Sequence, residues 1–153
     1  MSPAGPGVAA IVACVDAAGR VLVVKQTTGP FAGAWLLPGG AVERDERVAD
    51  AARRELAEET GYRVAELVLV ARYDVRSAPS GRFHILLHMF RGAEVDGTPR
   101  PEPASAVRWA RPREIDLHPS LAVELVDLGL IEREPTSLAR DLARIGVEVR
   151  RLP

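Results

Sequence analysis

The reading of the fold turns on Gly39–Tyr62, GGAVERDERVADAARRELAEETGY. From about Arg47 to Thr60 this stretch holds helix formers and no Gly or Pro. Gly61 stands where a left-handed C-terminal cap belongs, so a helix is predicted to end there. With Glu55 set at zero on a helix turning about 100° per residue, Glu58 falls at roughly 300° and Glu59 at roughly 40°. Val48, Ala52 and Leu56 fall at about 20°, 60° and 100°. The three carboxylates are therefore expected on the edge of the apolar side, with Asp50, Arg53, Ala57 and Thr60 facing away.

Glutamates of an ordinary solvated face would lie opposite the apolar stripe. Three anions gathered beside a core need a cation to neutralise them, and an oxygen-only donor set suits a hard divalent ion, Mg²⁺ or Mn²⁺. Glu46 stands near the helix start, where negative charge is favoured by the helix dipole. Arg54, next to Glu55, is placed to hold Glu46 by a paired hydrogen bond. Gly39-Gly40 reads as a turn whose bare backbone can approach a ligand or offer a carbonyl to a metal.

Taken together, Gly40, five residues, Glu46, seven residues, Arg54-Glu55-Leu56, one residue, Glu58-Glu59, one residue, Gly61 and Tyr62 resemble the Nudix box. The likeness extends outward. Trp35, Leu37, Pro38, Gly39, Val42 and Glu43 are similar to the strand and loop that lead into that box. Trp109, Pro112, Glu114 and Ile115 are similar to the segment that closes the family's sheet, so roughly residues 8–130 are covered. The resemblance implies an α/β fold, an α/β/α sandwich with a mixed β-sheet, in which the box forms a loop–helix–loop holding divalent metal.

On the same resemblance, Glu58 and Glu59 are metal ligands, and Glu55 is a ligand or the general base. Glu46 and Arg54 orient the cluster, and a Gly39 or Gly40 carbonyl completes the metal shell. Lys25, Gly39, Gly40 and Glu43 are assigned to substrate binding. The chain departs from the family pattern in three places. Tyr62 closes the box in place of an aliphatic residue, and Gln26 stands where many relatives carry a phosphate-binding Arg. Pro103 fills a slot that is often Glu, which leaves Glu102 as the neighbouring candidate ligand.

The implied reaction is hydrolysis of a nucleoside diphosphate linked to another group, by attack of a metal-activated water on phosphorus. A proline near the position used by ADP-ribose enzymes falls slightly late, at Pro79. Tyr73 comes too early for the dinucleoside-polyphosphate pattern. A nucleoside triphosphate, standard or modified, cleaved to monophosphate and pyrophosphate is left as the favoured substrate. ADP-ribose or a nucleotide sugar is the alternative, as is a non-catalytic nucleotide-binding module of the same fold.

The rest of the chain agrees with one folded unit spanning residues 1–153, with a loose lead-in at 1–7 and an extension of unassigned role at 132–153. Its 153 residues are 47% hydrophobic and 27% charged, enough for a real core. A net charge of −1 argues against broad binding to nucleic acid or an anionic membrane. Of twenty basic residues only Lys25 is lysine. The lone Cys14 sits in an apolar run, as a buried structural thiol would, and no internal disulfide can form. With no signal segment visible, a cytoplasmic protein acting on a small nucleotide is expected, with a homodimer open.

Val8–Val15 and Val21–Val24 are predicted strands across a gap of hairpin length, Asp16 to Arg20. Val64–Val75 reads as one or two strands, Arg82–Arg91 as a central strand, and Val107–Trp109 as a short one. Leu121–Leu128 has helical periodicity. A last helix is expected over Ser137–Ile145, capped by Thr136 or Ser137. His84 and His88 read as packing or pocket-lining residues, and His118 as a surface residue. Trp35 and Trp109 are expected in the core, and Arg72, Arg76 and Arg82 as solvated loop residues.

Overall fold

The computed structural model describes residues 5–99 and 106–153. Its strands form two sheets. A five-stranded mixed sheet runs in the order β4 (Gly39–Ala41), β1 (Gly7–Cys14), β6 (His84–Gly97), β5 (Tyr62–Ser77), β8 (Val147–Arg151). Only the β1–β6 pair is parallel. A smaller antiparallel sheet runs β3 (Trp35–Leu36), β2 (Val21–Lys25), β7 (Val107–Ala110). Three α-helices cover them: α1 (Val48–Thr60), α2 (Pro119–Asp127) and α3 (Pro135–Arg144). None of the described helices is long and apolar enough to cross a membrane.

Alternation along β1 divides the interior in two, as the period of 2 requires. Ala10, Val12 and Cys14 pack with Ala51, Ala52 and Leu56 of α1. On the other face Ala13 joins Tyr73, Val75 and Met89, with Leu121 and Leu125 of α2 and Leu142 of α3. Helices thus lie on both sides of the mixed sheet, the layering expected from the sequence. β6 takes the centre of that sheet, also as expected, because its residues are apolar toward both layers. β5 is one strand rather than two. Its register slips between Leu69 and Ala71, and the bulge turns Ala71, Tyr73 and Val75 into the core.

Five expectations need correction. β1 and β2 do not form a hairpin. They part into separate sheets after a single bridge, Val15 to Val21; Asp16 N donates to Arg20 O and Gly19 N to Asp16 O across the turn, and the Asp16 carboxylate accepts from the N–H groups of Ala18 and Arg20. Gly39-Gly40 is an extended strand paired with Ile11 and Ala10, not a turn. Thr60 does not face away from the core. It is fully buried, and its hydroxyl donates to Leu56 O at 2.6 Å while accepting from Tyr62 N at 3.0 Å. Gly61 then ends α1 with φ 80°, in the left-handed conformation predicted for it. α3 begins two residues early, at Pro135 with Glu134 as its N-cap, because proline at the first turn lacks only an N–H that needs no partner. Finally, the C-terminal extension carries an unforeseen strand: β8 pairs with the outer edge of β5, burying Val147, while Leu142 of α3 enters the core.

Candidate active site

The helix α1 begins seven residues after β4 ends, and this loop–helix arrangement brings the acidic residues together around Arg54. Arg54 Nε and Nη2 donate to Glu46 Oε2 and Oε1 at 2.8 and 3.0 Å, a forked pair. Its Nη1 donates to Glu55 Oε1 at 2.9 Å and to Glu58 Oε2 at 3.2 Å. Nη2 also reaches the carbonyl of Ala41 at 3.1 Å, so the guanidinium ties α1 to the end of β4. Glu46 accepts a further hydrogen bond from Glu43 N. The Arg54 guanidinium, helped by that N–H, holds the Glu46 carboxyl down at about 2. The same carboxylates push the Arg54 pKa up.

Burial varies along the acidic edge. The Glu55 side chain is 17% exposed and that of Glu58 53%, with Glu59 half-buried between the core and the surface. Glu55 lies against bare backbone: a Cβ built on Gly40 would stand 2.6 Å from its carboxyl carbon. Gly39 has a different constraint, since a Cβ there would meet Ala10 O at 2.1 Å. A side chain at Gly39 would thus collide with the neighbouring strand, whereas one at Gly40 would have to displace the acid.

The opposite face of this glycine pair borders a cavity of about 240 Å³. Its walls are mostly apolar, with Ile11, Phe31, Phe83 and Leu87 among them and the two phenylalanines set edge to face at 6.3 Å. The volume is slightly below the range usual for whole ligands. Gln26, Ser120 and Glu124 supply polar side chains to the lining. Both Ser120 and Glu124 come from α2, whose first turn is capped by His118 accepting from Ser120 N at 3.1 Å. His118 also packs on Phe31 with ring centroids 4.5 Å apart, so it is half-buried rather than a surface residue, and burial lowers its pKa.

The remaining residues singled out by sequence are spread more widely. Lys25 is exposed at the end of β2, and its neighbour Gln26 lines the cavity instead. Glu43 is exposed, 3.8 Å from Arg54. Glu102 and Pro103 lie outside the described residues. Trp109 is half-buried and donates from Nε1 to Tyr62 OH at 3.1 Å, so these two rings occupy one another away from the cavity lining. Arg76 and His84 surround Asp74 of β5, holding that carboxyl at about 2, with Arg76 the larger cause. Cys14 is fully buried, and desolvation pushes its thiol up to about 12, beyond reach as a nucleophile.

Sequence reasoning missed Phe31, Phe83, Ser120 and Glu124, which the cavity gathers from three separate segments. Only Glu124 left a local trace. It is the single acid within the apolar run Leu121–Val126, with no basic residue four positions away on either side.

Known proteins resemble the chain along most of its length. A candidate 8-oxo-dGTP diphosphatase of Bacillus subtilis (strain 168) is 33% identical over 114 residues, covering 71% of this chain and 68% of the relative. A second candidate 8-oxo-dGTP diphosphatase, from Mycobacterium tuberculosis (strain ATCC 25618 / H37Rv), is 36% identical over 96 residues, or 62% of this chain and 67% of that one. The crystal structure of a MutT NUDIX hydrolase from Burkholderia pseudomallei superposes with a TM-score of 0.72 at 29% identity, over 84% of this chain and 100% of that one. The NUDIX domain model matches residues 5–128, which span β1 through α2 and both faces of the glycine ridge, and the chain belongs to that family.

Proposed function

We propose that the protein is a divalent-metal-dependent pyrophosphohydrolase that cleaves a nucleoside triphosphate, base-modified ones included, to the monophosphate and pyrophosphate. One observation carries this reading: Gly40 is both a wall of the apolar cavity and the surface on which the Glu55 carboxylate rests. A nucleoside seated in the cavity sends its polyphosphate across that ridge onto the acidic edge of α1. The names of the two bacterial relatives support a triphosphate over ADP-ribose or a nucleotide sugar.

The donor chemistry fits Mg²⁺ or Mn²⁺. Glu55, Glu58 and Glu59 offer only oxygen, on one edge of one helix and beside a bare Gly40 backbone. Among the described residues no three acidic, imidazole or thiol groups converge as a bound ion requires, and the Arg54 guanidinium stands between Glu55 and Glu58. When bound, the ion supplies a Lewis acid and lowers the pKa of a coordinated water.

The chain's own residues do the rest. Glu58 and Glu59 hold the ion, with the Gly40 carbonyl and Glu102 as further donors. Glu55, mostly buried against Gly40, is a ligand or takes the proton of the attacking water. Arg54 fixes Glu46 through two of its three nitrogens and leaves the third, Nη1, for the acids that must move. Lys25 and Glu43 lie at the exposed rim, where they meet the polyphosphate and its counter-ions. A cytoplasmic site of action, on small nucleotides rather than membranes or nucleic acid, accords with this reading.

The test is hydrolysis of a panel holding standard and oxidised triphosphates, ADP-ribose and a nucleotide sugar, with Mg²⁺ and Mn²⁺, for the wild type and Glu59→Gln. Metal-dependent turnover of a triphosphate, lost in the variant, is the expected result. Preference for ADP-ribose would replace the substrate, and tight nucleotide binding without turnover of any member would replace the enzyme by a binding module.

A further inference from the structure

We propose that α2 carries the base-reading edge of the cavity, with the Glu124 carboxyl and the Ser120 hydroxyl, one turn apart, hydrogen-bonding the polar rim of a nucleobase held between the apolar walls. The inference rests on the cavity being the nucleoside site. Two features of α2 support it. Ser120 Oγ is buried without a hydrogen-bond partner among the described residues, although it lines a cavity. A buried hydroxyl left this way is costly unless a ligand completes it. Glu124 is 6% exposed and lines the same cavity, which offers it no cation among the described residues.

The surroundings also fix the form in which Glu124 acts. Burial, reinforced by the Asp127 charge on the same helix, raises its pKa to about 8. Asp127 itself is engaged by Tyr73 OH of β5 at 2.5 Å and by Arg151 of β8 at 3.2 Å, which leaves neither partner for Glu124. Glu55 lies beyond the Gly40 wall, on the acidic edge of α1. Near pH 7 Glu124 is therefore a neutral acid, one O–H donor beside one C=O acceptor. That pair complements a base edge where a donor and an acceptor are adjacent, as in a lactam N–H beside its carbonyl. An ionised carboxylate would instead demand two adjacent donors.

Glutamine keeps one donor and one acceptor at the same place, whereas leucine keeps neither, so the two variants separate the roles. Binding of AMP, GMP, CMP, UMP and 8-oxo-dGMP is measured by calorimetry, so that the readout does not depend on turnover. Thermal melts establish that each variant folds. For the best-bound base, Glu124→Leu should weaken binding at least tenfold and flatten the preference among bases, while Glu124→Gln stays within about threefold. Wild-type affinity should fall as pH rises past 8, and that of Glu124→Gln should not. An unchanged preference in Glu124→Leu overturns the proposal even where triphosphate hydrolysis is intact. Equal damage from both variants overturns the neutral-acid form. Failure of the folded wild type to bind any of the five overturns the cavity assignment itself.

Discussion

Glu55 and Gly40 meet across the junction of α1 and β4 so closely that a methyl group on Gly40 would stand 2.6 Å from the Glu55 carboxyl carbon. The adjacent Gly39 faces the backbone of β1 in the same way, at 2.1 Å from Ala10 O. The two glycines should therefore fail differently. A carboxylate at the end of a flexible side chain can swing aside, but a paired strand cannot. Gly40→Ala is expected to fold and lose activity at least tenfold by displacing Glu55. Gly39→Ala should lose stability on the order of 3 kcal/mol by prising β4 from β1. Thermal melts alongside initial rates separate the two effects.

Arg54 joins four acidic side chains to the end of β4, and its forked bond to Glu46 is the best-formed of these contacts. Arg54→Lys keeps the charge but cannot fork, so activity should fall by about 10- to 100-fold with little change in melting temperature. The Glu46 pKa lies below its unfolded value, at about 2. Its contribution to stability is thus complete above pH 5 and lost as pH falls toward 2. Glu46→Gln should flatten that acid limb, as read from denaturant midpoints between pH 2 and 6.

Glu124 acts with the opposite sign. Its folded pKa is raised to about 8, so its favourable contribution is present at low pH and lost as pH rises from about 4.5 through 8. Ionising it in place costs on the order of a few kcal/mol, because no cation lines the cavity among the described residues. Glu124→Gln should remove this decline and melt higher than wild type at pH 8.5. A variant that melts lower there, with the same slope, would contradict the assignment.

The acidic helix was legible because its chemistry is local. Glu46, Arg54, Glu55, Glu58 and Glu59 fall within fourteen residues, and one helical period decides which share a side. The same arithmetic misplaced Thr60, because the last turn of α1 is buried by β5 starting directly after Gly61 and not by the apolar stripe alone. The cavity was illegible for a related reason. Phe31, Phe83 and Ser120 lie in three separate segments, and only the sheet order brings them within reach of one another. β8 escaped notice because VEVRR alternates too briefly, and its strand character comes from the open edge of β5.

That edge makes the last segment structural. Leu142 and Val147 are 4% and 3% exposed, and Arg151 reaches Asp127 of α2. Leu142→Ala should cost about 2–5 kcal/mol in denaturant unfolding. A chain ending at Glu134 should expose β5 and aggregate, visible as a loss of monodisperse scattering.

The cavity and the acidic edge are thus assigned to one nucleotide, lying across Gly40. The most direct measurement is ³¹P NMR of the products formed from the best triphosphate with Mg²⁺, for wild type and Glu59→Gln. Pyrophosphate and nucleoside monophosphate from the wild type, with no turnover by the variant, are the predicted result. Release of orthophosphate and nucleoside diphosphate, or equal turnover by the variant, would contradict it.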